Sequence, residues 1–368
     1  GGVSGYIPTT SIYDPNLKPQ NTKSYEIGFE ARFFNNRIGI DYSYTKQKTV
    51  DQIFAVPLAG STGYAEEIRN AGSMSGYSHE FTLDLVPVKT KDFTWNMKIN
   101  WSKSESKCEE LAEGVENITL VGFVDPNIRA YAGKTYPTIY GTSFLRTDKG
   151  ELVIDDDDTS PYYGMPMAGG TKAIGNVTPN FLLGVNNTLS FKGLTLSFLI
   201  DWKDGGMMYS GSNRLINLYG TSAATDNRST PFTYTGVGYS TLESIDDNDV
   251  AHGGTSSTFS RGGEGDEIAH QYRYATILGS ISEANVFETS FVKLREVSLS
   301  YTFPKSLVSK IYLKGLSASV SARNILLWTS LPNFDPESSQ GTGNGQSGFD
   351  YMSLPQTTSL GAGLTVTF

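Results

Sequence analysis

The chain has 368 residues and a formal net charge of -9, and 12% of its residues are aromatic. The acidic balance argues against nucleic acid as a partner, and the absence of any run of 18 apolar residues excludes a transmembrane helix but not a transmembrane barrel. The single cysteine, Cys108, excludes an internal disulfide, and the opening residues lack the basic start and apolar stretch of a signal peptide. We therefore expect that a signal has been removed or that the chain is the back part of a longer protein.

A β-hairpin is predicted after a loop-like N-terminal segment. Apolar side chains occupy every second position in residues 25–33, and the same alternation returns in residues 38–44. Because side chains alternate across a strand, each strand has one apolar and one polar face. Asn35 and Asn36 favour a tight turn between the strands, since Asn tolerates a positive φ.

The same pattern recurs along the rest of the chain. It predicts hairpins of residues 81–85 with 93–101, 181–191 with 194–202, and 297–303 with 316–322, and a last strand over 359–368. The phase slips at Arg295 and Glu296, which predicts a β-bulge or a strand entered from a loop. The predicted total is nine strands.

Short and long connections alternate between these strands. The long ones are predicted over residues 46–76, 103–180, 203–290 and 329–358, so all of them lie at one end of the sheet. Short periplasmic turns, long extracellular loops and aromatic residues at strand ends are typical of outer-membrane barrels. The predicted fold is an all-β transmembrane antiparallel β-barrel, with Phe368 ending on the periplasmic side. A soluble β-rich adhesin or scaffold is the alternative fold.

Charged side chains share the polar parity of the predicted strands. They are Glu26, Glu30, Arg32, Asp41, Lys98, Asp201 and Arg323. On a lipid-facing surface each basic residue would cost about 2–4 kcal/mol at mid-depth. We therefore expect this face to line a filled or hydrated lumen.

Several stretches of the sequence resemble the SusC-like (RagA-like) TonB-dependent transporters. They are residues 17–28, 32–37, 291–301, 322–329, 334–337 and 351–368. The resemblance implies a 22-stranded barrel in the outer membrane of a Gram-negative bacterium, of which residues 1–368 would be the C-terminal part with the last nine strands. The odd strand count also indicates that strands are missing, and they would precede residue 1 because Phe368 ends a strand.

The resemblance also implies the function. Such transporters actively import oligosaccharides or peptides, driven by TonB through an N-terminal plug region that is absent from this chain, and are capped by a SusD-like surface lipoprotein. No enzymatic activity and no cofactor are expected. A passive porin-type barrel and, less favoured by the sequence, an outer-membrane barrel enzyme are the alternatives.

Five tyrosines in the second long loop are the candidate substrate-binding residues, because aromatic rings at a barrel mouth stack on sugar rings or peptide side chains. They are Tyr131, Tyr136, Tyr140, Tyr162 and Tyr163. A small hairpin is predicted over residues 142–154 in the same loop, and the Gly- and Ser-rich third loop is expected to be mobile.

No metal site or catalytic arrangement is predicted. The acidic runs 155–158 and 246–249 lack the spacing of a calcium loop, so solvated loops are expected. The three histidines are scattered along the sequence and form no nucleophile-base-acid pattern. By its resemblance to the family, the terminal Phe368 is expected to be a barrel assembly signal.

Overall fold

A nine-stranded antiparallel sheet, in which each strand pairs with the next one in sequence, is the central feature of the structure. The structure is a computed structural model that describes residues 10–226, 228–341 and 346–368. The strands are β1 (Asn21–Phe33), β2 (Ile38–Pro57), β3 (Glu66–Lys89), β4 (Phe93–Leu111), β5 (Pro179–Phe191), β6 (Leu194–Gly205), β7 (Phe291–Thr302), β8 (Gly315–Thr329) and β9 (Ser359–Thr367). The predicted all-β antiparallel architecture and its nine strands are confirmed.

One face of this sheet is a continuous apolar surface. Cross-strand register aligns Phe29, Tyr42, Phe81, Trp101, Leu183, Trp202, Val292 and Trp328 in a single row across β1 to β8. Ring and aliphatic side chains of the first strand are largely exposed, Tyr25 at 71% and Ile27 at 75%. This is the lipid-facing surface of an outer-membrane barrel, and the opposite face is the lumen side.

Three of the four short turns are tight reversals. Phe34, Asn35 and Asn36 all have positive φ between β1 and β2, as the Asn pair predicts. Between β5 and β6 the chain reverses at Lys192 and Gly193, where a Cβ on Gly193 would lie 2.6 Å from the carbonyl oxygen of Thr302. Glycine is required there because both its φ of 88° and this close approach exclude a side chain.

The remaining two short connections are one tight turn and one longer segment. Residues 90–92 join β3 to β4, and a longer segment with the helix Lys305–Val308 and the 3-10 helix Ser309–Ile311 joins β7 to β8. All four short connections lie at the same end of the strands, and the long connections lie at the opposite end.

The first two long connections are shorter than expected. β2 and β3 stay paired up to Pro57 and Glu66, so the connection expected over residues 46–76 spans only 58–65. β4 likewise continues to Leu111, so the second connection begins at residue 112 and not at 103. Because about 9–11 residues suffice to cross a bilayer, these strands extend well beyond the membrane.

The three remaining long connections are outer loop 2 (residues 112–178), outer loop 3 (206–290) and outer loop 4 (330–358). They fold together into one outer layer. Val153–Ile154 of outer loop 2 pairs with Phe232–Gly238 of outer loop 3, and Met207–Ser210 of outer loop 3 pairs with Phe349–Asp350 of outer loop 4. A buried cluster of Ile128, Ile139, Val177, Tyr209 and Phe349 joins all three loops.

Outer loop 3, expected to be a mobile excursion, contains much regular structure. Its elements are the strands Met207–Ser210, Phe232–Gly238, Leu242–Ile245, Val250–Gly253, Ser256–Arg261 and Val286–Glu288, the helices Gly211–Leu218, Ile268–Gln271 and Leu278–Ser280, the π-helix Tyr272–Ile277 and the 3-10 helices Ala223–Thr225, Tyr239–Thr241 and Ser282–Asn285. Within the described ranges, no helix has the length and apolarity needed to cross a membrane.

Outer loop 2 is built mainly from short strands. They are Asn117–Gly122, Asn127–Tyr131, Thr135–Tyr136, Thr138–Phe144, Arg146–Thr147, Val153–Ile154 and Ala168–Asn176. The hairpin predicted over residues 142–154 is confirmed, since the backbone N–H of Thr147 donates to the carbonyl of Glu151 at 2.9 Å and Gly150 turns with a φ of 83°.

Near the N-terminus, Ser11–Tyr13 pairs in parallel with the outer end of β3. The segment between Tyr13 and β1 is fixed by the side chain of Asn70. Its Oδ1 accepts the backbone N–H of Lys18, and its Nδ2 donates to the carbonyl of Lys18.

Candidate functional site

A β-bulge at Arg295 places two consecutive charged side chains on the lumen side of β7. The ladder shifts register between Leu294 and Glu296, as the sequence predicts. Arg295 Nε donates to Asp201 Oδ2 at 2.6 Å, and Glu296 pairs with Arg323 at 3.1 Å. Strict alternation would direct Arg295 and Glu296 to opposite faces of the sheet. The bulge allows both side chains to face the lumen.

Charges on β6, β7 and outer loop 4 form the mouth network, defined by Asp201, Lys293, Arg295, Asp335 and Glu337. The Arg295 guanidinium binds both carboxylate oxygens of Glu337, at 2.8 and 2.9 Å. Lys293, whose side chain is only 3% exposed, bonds the same carboxylate and lies 3.7 Å from Asp335 Oδ1. Although burial opposes the charged form, hydrogen bonds from Arg295 and Lys293 hold the pKa of Glu337 below its ordinary value.

The carboxylate of Asp335 links two segments of outer loop 4, one at Glu337 and one at Gln356. Its Oδ1 accepts the backbone N–H of Glu337 and its Oδ2 accepts that of Gln356, each at 3.0 Å. The side-chain oxygen of Gln356 in turn accepts from Lys293 at 3.3 Å. Outer loop 4 is therefore anchored to the lumen side of the barrel wall, and removing one buried partner would cost about 3–5 kcal/mol by leaving the other unpaired.

Beside the mouth network lies a cavity of about 440 Å³, which we call the mouth pocket. Its apolar wall includes Val177, Pro179, Leu182, Met207, Met208 and Phe291, and its charged residues are Asp201, Lys203, Arg295 and Glu337. An apolar concave surface with few polar groups is the common form of a ligand site. A second cavity of about 810 Å³ adjoins it at Glu337 and Ser339, so the two open on either side of outer loop 4.

Lys203 is the charged group in the mouth pocket that is free to bind a ligand. Arg295 bonds both Asp201 and Glu337, and Lys293 also bonds Glu337. Within the described part of the chain, the Lys203 ammonium has neither a carboxylate within 4.0 Å nor a hydrogen-bond partner. The pocket thus offers a cation beside an apolar wall, an arrangement that suits a carboxylate attached to an apolar group.

The five candidate tyrosines lie in the outer layer in separate groups and not around the mouth pocket. Tyr131 stacks on Tyr140 with ring centroids 4.5 Å apart, and Tyr136 packs against the cluster around Ile128. Burial raises the pKa of Tyr140 and of Tyr136. These three side chains therefore contribute to the packing of outer loop 2.

Tyr162 and Tyr163 occupy a different part of the outer layer. Tyr162 meets Tyr272 edge to face at 5.7 Å, and Tyr163 meets Phe259 in the same way at 6.0 Å. Both contacts join outer loop 2 to outer loop 3. Substrate binding by any of the five remains a prediction.

The acidic runs organise turns. Asp156 accepts both the N–H and the hydroxyl of Ser240, which joins outer loop 2 to outer loop 3. Hydrogen bonds from the hydroxyl and N–H of Thr159 lower the pKa of Asp157, and Asp246 accepts the N–H groups of two residues in its own turn. Across residues 10–226, 228–341 and 346–368, no group of three or more His, Cys, Asp or Glu side chains is placed to hold a metal ion.

Sequence reasoning missed most of the mouth pocket. It placed Asp201 in the lumen, but Lys203 and Glu337 were not singled out, and neither was the apolar wall from Met207 and Met208. The available signal was the pair of basic residues Lys293 and Arg295, which alternate with apolar residues at the start of the strand. Buried cations on a strand require carboxylates from elsewhere, and the nearby run Asp335–Glu337 supplies them.

Comparison with known proteins supports this architecture. Residues 9–135 match the Outer membrane protein beta-barrel family. The whole chain is 26% identical to the TonB-dependent receptor P3 of Formosa agariphila, and 96% of it is 27% identical to the TonB-dependent receptor P26 of the same organism. A shorter stretch, 28% of the chain, is 32% identical to the TonB-dependent receptor SusC of Bacteroides thetaiotaomicron.

Among solved structures, the fold resembles that of the RagAB peptide transporter, with a TM-score of 0.64 over 96% of the chain at 20% identity. The chain spans a little over a third of the two Formosa relatives, 36% and 35% of their lengths, and 36% of the RagAB chain. These relatives are named as receptors and a transporter and not as enzymes, in agreement with expectation. The chain therefore has the fold of an outer-membrane β-barrel wall and is similar over nearly its whole length to proteins named TonB-dependent receptors.

Proposed function

We propose that the chain is the C-terminal wall of a plugged barrel that actively imports oligosaccharides or peptides, with substrate bound at the mouth pocket. The observation that carries this proposal is the position of the pocket. It opens on the lumen side, at the end of the sheet where the outer layer begins, and it offers an unpaired Lys203 beside apolar side chains. A substrate arriving from outside would meet this pocket before it reached the barrel interior.

The chemistry of the mouth pocket favours a peptide over a neutral glycan. The pocket presents apolar and aromatic side chains beside the Lys203 ammonium, and a neutral glycan has no charged group to pair with this cation. A peptide with a free carboxylate near an apolar side chain satisfies both features. The resemblance to a structure described as a peptide transporter is consistent with this choice.

A SusD-like lipoprotein and TonB are the proposed partners. Several large apolar side chains on the outer layer are exposed and could contact a lid, among them Val124 at 98%, Tyr219 at 74% and Ile268 at 50%. Coupling to TonB would act through a plug region.

Filling the mouth pocket tests the proposed site. A Cβ on Gly184, which lines the pocket, would lie 3.5 Å from Asp201 Oδ1, so a side chain can be added there without a backbone clash. We expect Gly184→Trp to abolish peptide uptake by the full-length receptor while its level in the outer membrane stays normal. The matched control, Gly184→Ala, should retain uptake.

Uptake measured in a strain without TonB distinguishes active import from a passive porin. Loss of uptake in that strain supports energy-coupled import, whereas unchanged uptake indicates diffusion. Normal peptide uptake by Gly184→Trp would refute the mouth pocket as the substrate site, whatever the result for TonB.

A further inference from the structure

Five lysines lie together on the lipid-facing side of β1, β2 and β4, toward the outer layer. This lysine face consists of Lys23, Lys46, Lys48, Lys103 and Lys107. Strand register places Lys23 opposite Lys48, and Lys48 and Lys107 both flank Ser75 of β3. Each lysine faces the same side of the sheet as the apolar row. For example, Lys23 is two positions from Tyr25, and Lys103 is two positions from Trp101.

The lysine face sits at the level of the outer membrane surface. Lys23, Lys48 and Lys103 each lie ten positions from the residue that borders the short turn of their strand, namely Phe33, Ile38 and Phe93. About 9–11 residues of a tilted strand cross the hydrocarbon region. The three ammonium groups are therefore at the height where outer-leaflet headgroups begin, and long lysine side chains can extend toward those headgroups.

The lipid side of these strands carries the five lysines together with Glu105 and Glu109, whereas the lumen side carries charges of both signs, such as Lys98 and Asp84. Of the five lysines, only Lys107 has a carboxylate within 4.0 Å in the described residues, that of Glu109 at 3.4 Å. The other nearby acid, Glu105, accepts a hydrogen bond from the Tyr77 hydroxyl at 2.7 Å. The lysine face therefore carries an excess of positive charge.

Directly below the lysines, toward the membrane centre, lies a shallow depression of about 540 Å³. Its walls are Ile27, Tyr42, Tyr44, Tyr77 and His79. A hydrogen bond of 2.8 Å between the Tyr42 hydroxyl and His79 Nδ1, and close packing of the Tyr44 and Tyr77 rings on His79, hold these rings in place. An ordered apolar depression on the lipid side provides a seat for an acyl chain.

We propose that the lysine face and this depression together bind a phosphorylated glycolipid of the outer leaflet. An acyl chain would lie in the depression, and headgroup phosphates would contact Lys23, Lys46, Lys48 and Lys103. On the lipid side β6 and β8 carry Trp202 and Trp328, whereas all five lysines lie on β1, β2 and β4, so the positive charge is local to one side of the sheet. This inference rests on the outer-membrane location and does not depend on the proposed import.

Native mass spectrometry of the full-length receptor, purified from outer membranes in mild detergent, tests the site. We expect Lys23→Gln/Lys46→Gln/Lys48→Gln/Lys103→Gln to lower the retained phosphorylated glycolipid at least about tenfold, since each lysine near an anionic lipid surface adds to binding. The matched control removes four exposed lysines at the short-turn edge, Lys89→Gln/Lys91→Gln/Lys305→Gln/Lys310→Gln, and should retain the glycolipid. Equal retention by both variants would overturn the proposal.

A second measurement uses the unmodified protein, so that it remains decisive if the fourfold variant fails to fold. The wild-type receptor is incubated with phosphorylated glycolipid, with the same glycolipid after phosphatase treatment, and with an anionic phospholipid. We expect clear preference for the phosphorylated glycolipid. Equal binding of the dephosphorylated form would exclude recognition by the lysines, and equal binding of the phospholipid would show that the site does not select a glycolipid.

Discussion

A single carboxylate, that of Glu337, holds two cations of the barrel wall. Arg295 binds it with two parallel hydrogen bonds, and Lys293 approaches from the same strand. Paired guanidinium and carboxylate groups give strong and directional contacts, particularly where side chains are shielded from water. Because Glu337 also lines both cavities beside outer loop 4, the residue that anchors this loop also shapes the entrance to the lumen.

The pH dependence of the outer layer follows from the lowered pKa of Glu337. Its charged form is favoured in the folded state, so its contribution is fully present above the ordinary value of 4.5 and is lost as the pH falls below 4.5 through the lowered pKa. We expect the melting temperature of the detergent-solubilised receptor, followed by tryptophan fluorescence, to fall in this range.

Glu337→Gln isolates this group from the other carboxylates. The variant should already be less stable near neutral pH, by about 1–3 kcal/mol, because it keeps hydrogen-bonding capacity but loses the charge. It should also show a smaller further loss on acidification than the wild type. If wild type and variant lose stability in parallel across the acidic range, Glu337 is not the titrating anchor.

At the scale of elements, the outer layer behaves as a folded unit and not as separate loops. Strands of outer loop 2 pair with outer loop 3, and outer loop 3 pairs with outer loop 4. Backbone pairing between loops satisfies polar groups that a buried loop would otherwise leave unpaired. The contacts of Tyr162 and Tyr163 strengthen the same junction, so these aromatic residues have a packing role whether or not they touch substrate.

Deleting the segment from Tyr131 to Tyr163 tests the importance of the outer layer. The deletion removes the strand Thr138–Phe144 that pairs with Ala168–Asn176, but it removes none of the nine sheet strands. We expect uptake to be abolished while barrel insertion, measured as the receptor level in the outer membrane, stays intact. Replacing only the turn at Asp148–Gly150 is the control and should preserve uptake. Normal uptake by the deletion variant would refute a role for this segment.

At the scale of the whole molecule, the nine strands form a sheet with β1 and β9 at its two edges. Exposed strand edges with unpaired backbone groups are not tolerated in a bilayer, so a barrel must close them. We propose that other strands pair with β1 and β9 in the membrane. The lipid-facing apolar row and the lumen-facing charges then continue around a complete wall.

Removal of Phe368 tests the assembly of this wall. The ring follows β9 directly and is 81% exposed, so it is accessible to the insertion machinery and contributes little to packing. We expect deletion of Phe368 to lower the amount of heat-modifiable, folded receptor in the outer membrane, whereas Phe368→Tyr should be tolerated. Normal folded levels after the deletion would show that the terminal aromatic is not an assembly signal.

The nine strands, the tight turns and the bulge at Arg295 could be predicted because alternation of side chains is a local property. The bounds of the first connection could not. Further out, β2 and β3 continue with Lys48 and Ser75 on the outer face, so the apolar pattern ends although the strand pairing does not. The alternation of apolar and polar residues depends on contact with lipid on one face. Where that face is in water the alternation disappears, so the sequence pattern no longer marks the strand.

The sequence by itself determined which residues form the barrel wall and which face they occupy, because lipid on one side and water on the other impose a period of two on every strand. Only the tertiary structure decided where the mouth pocket lies. Its residues come from β5, β6, β7 and three outer loops, and contacts such as that between Asp201 and Arg295 join positions far apart in sequence. No local pattern encodes such contacts, since they depend on how the loops fold over the lumen and on the charges that must be neutralised there.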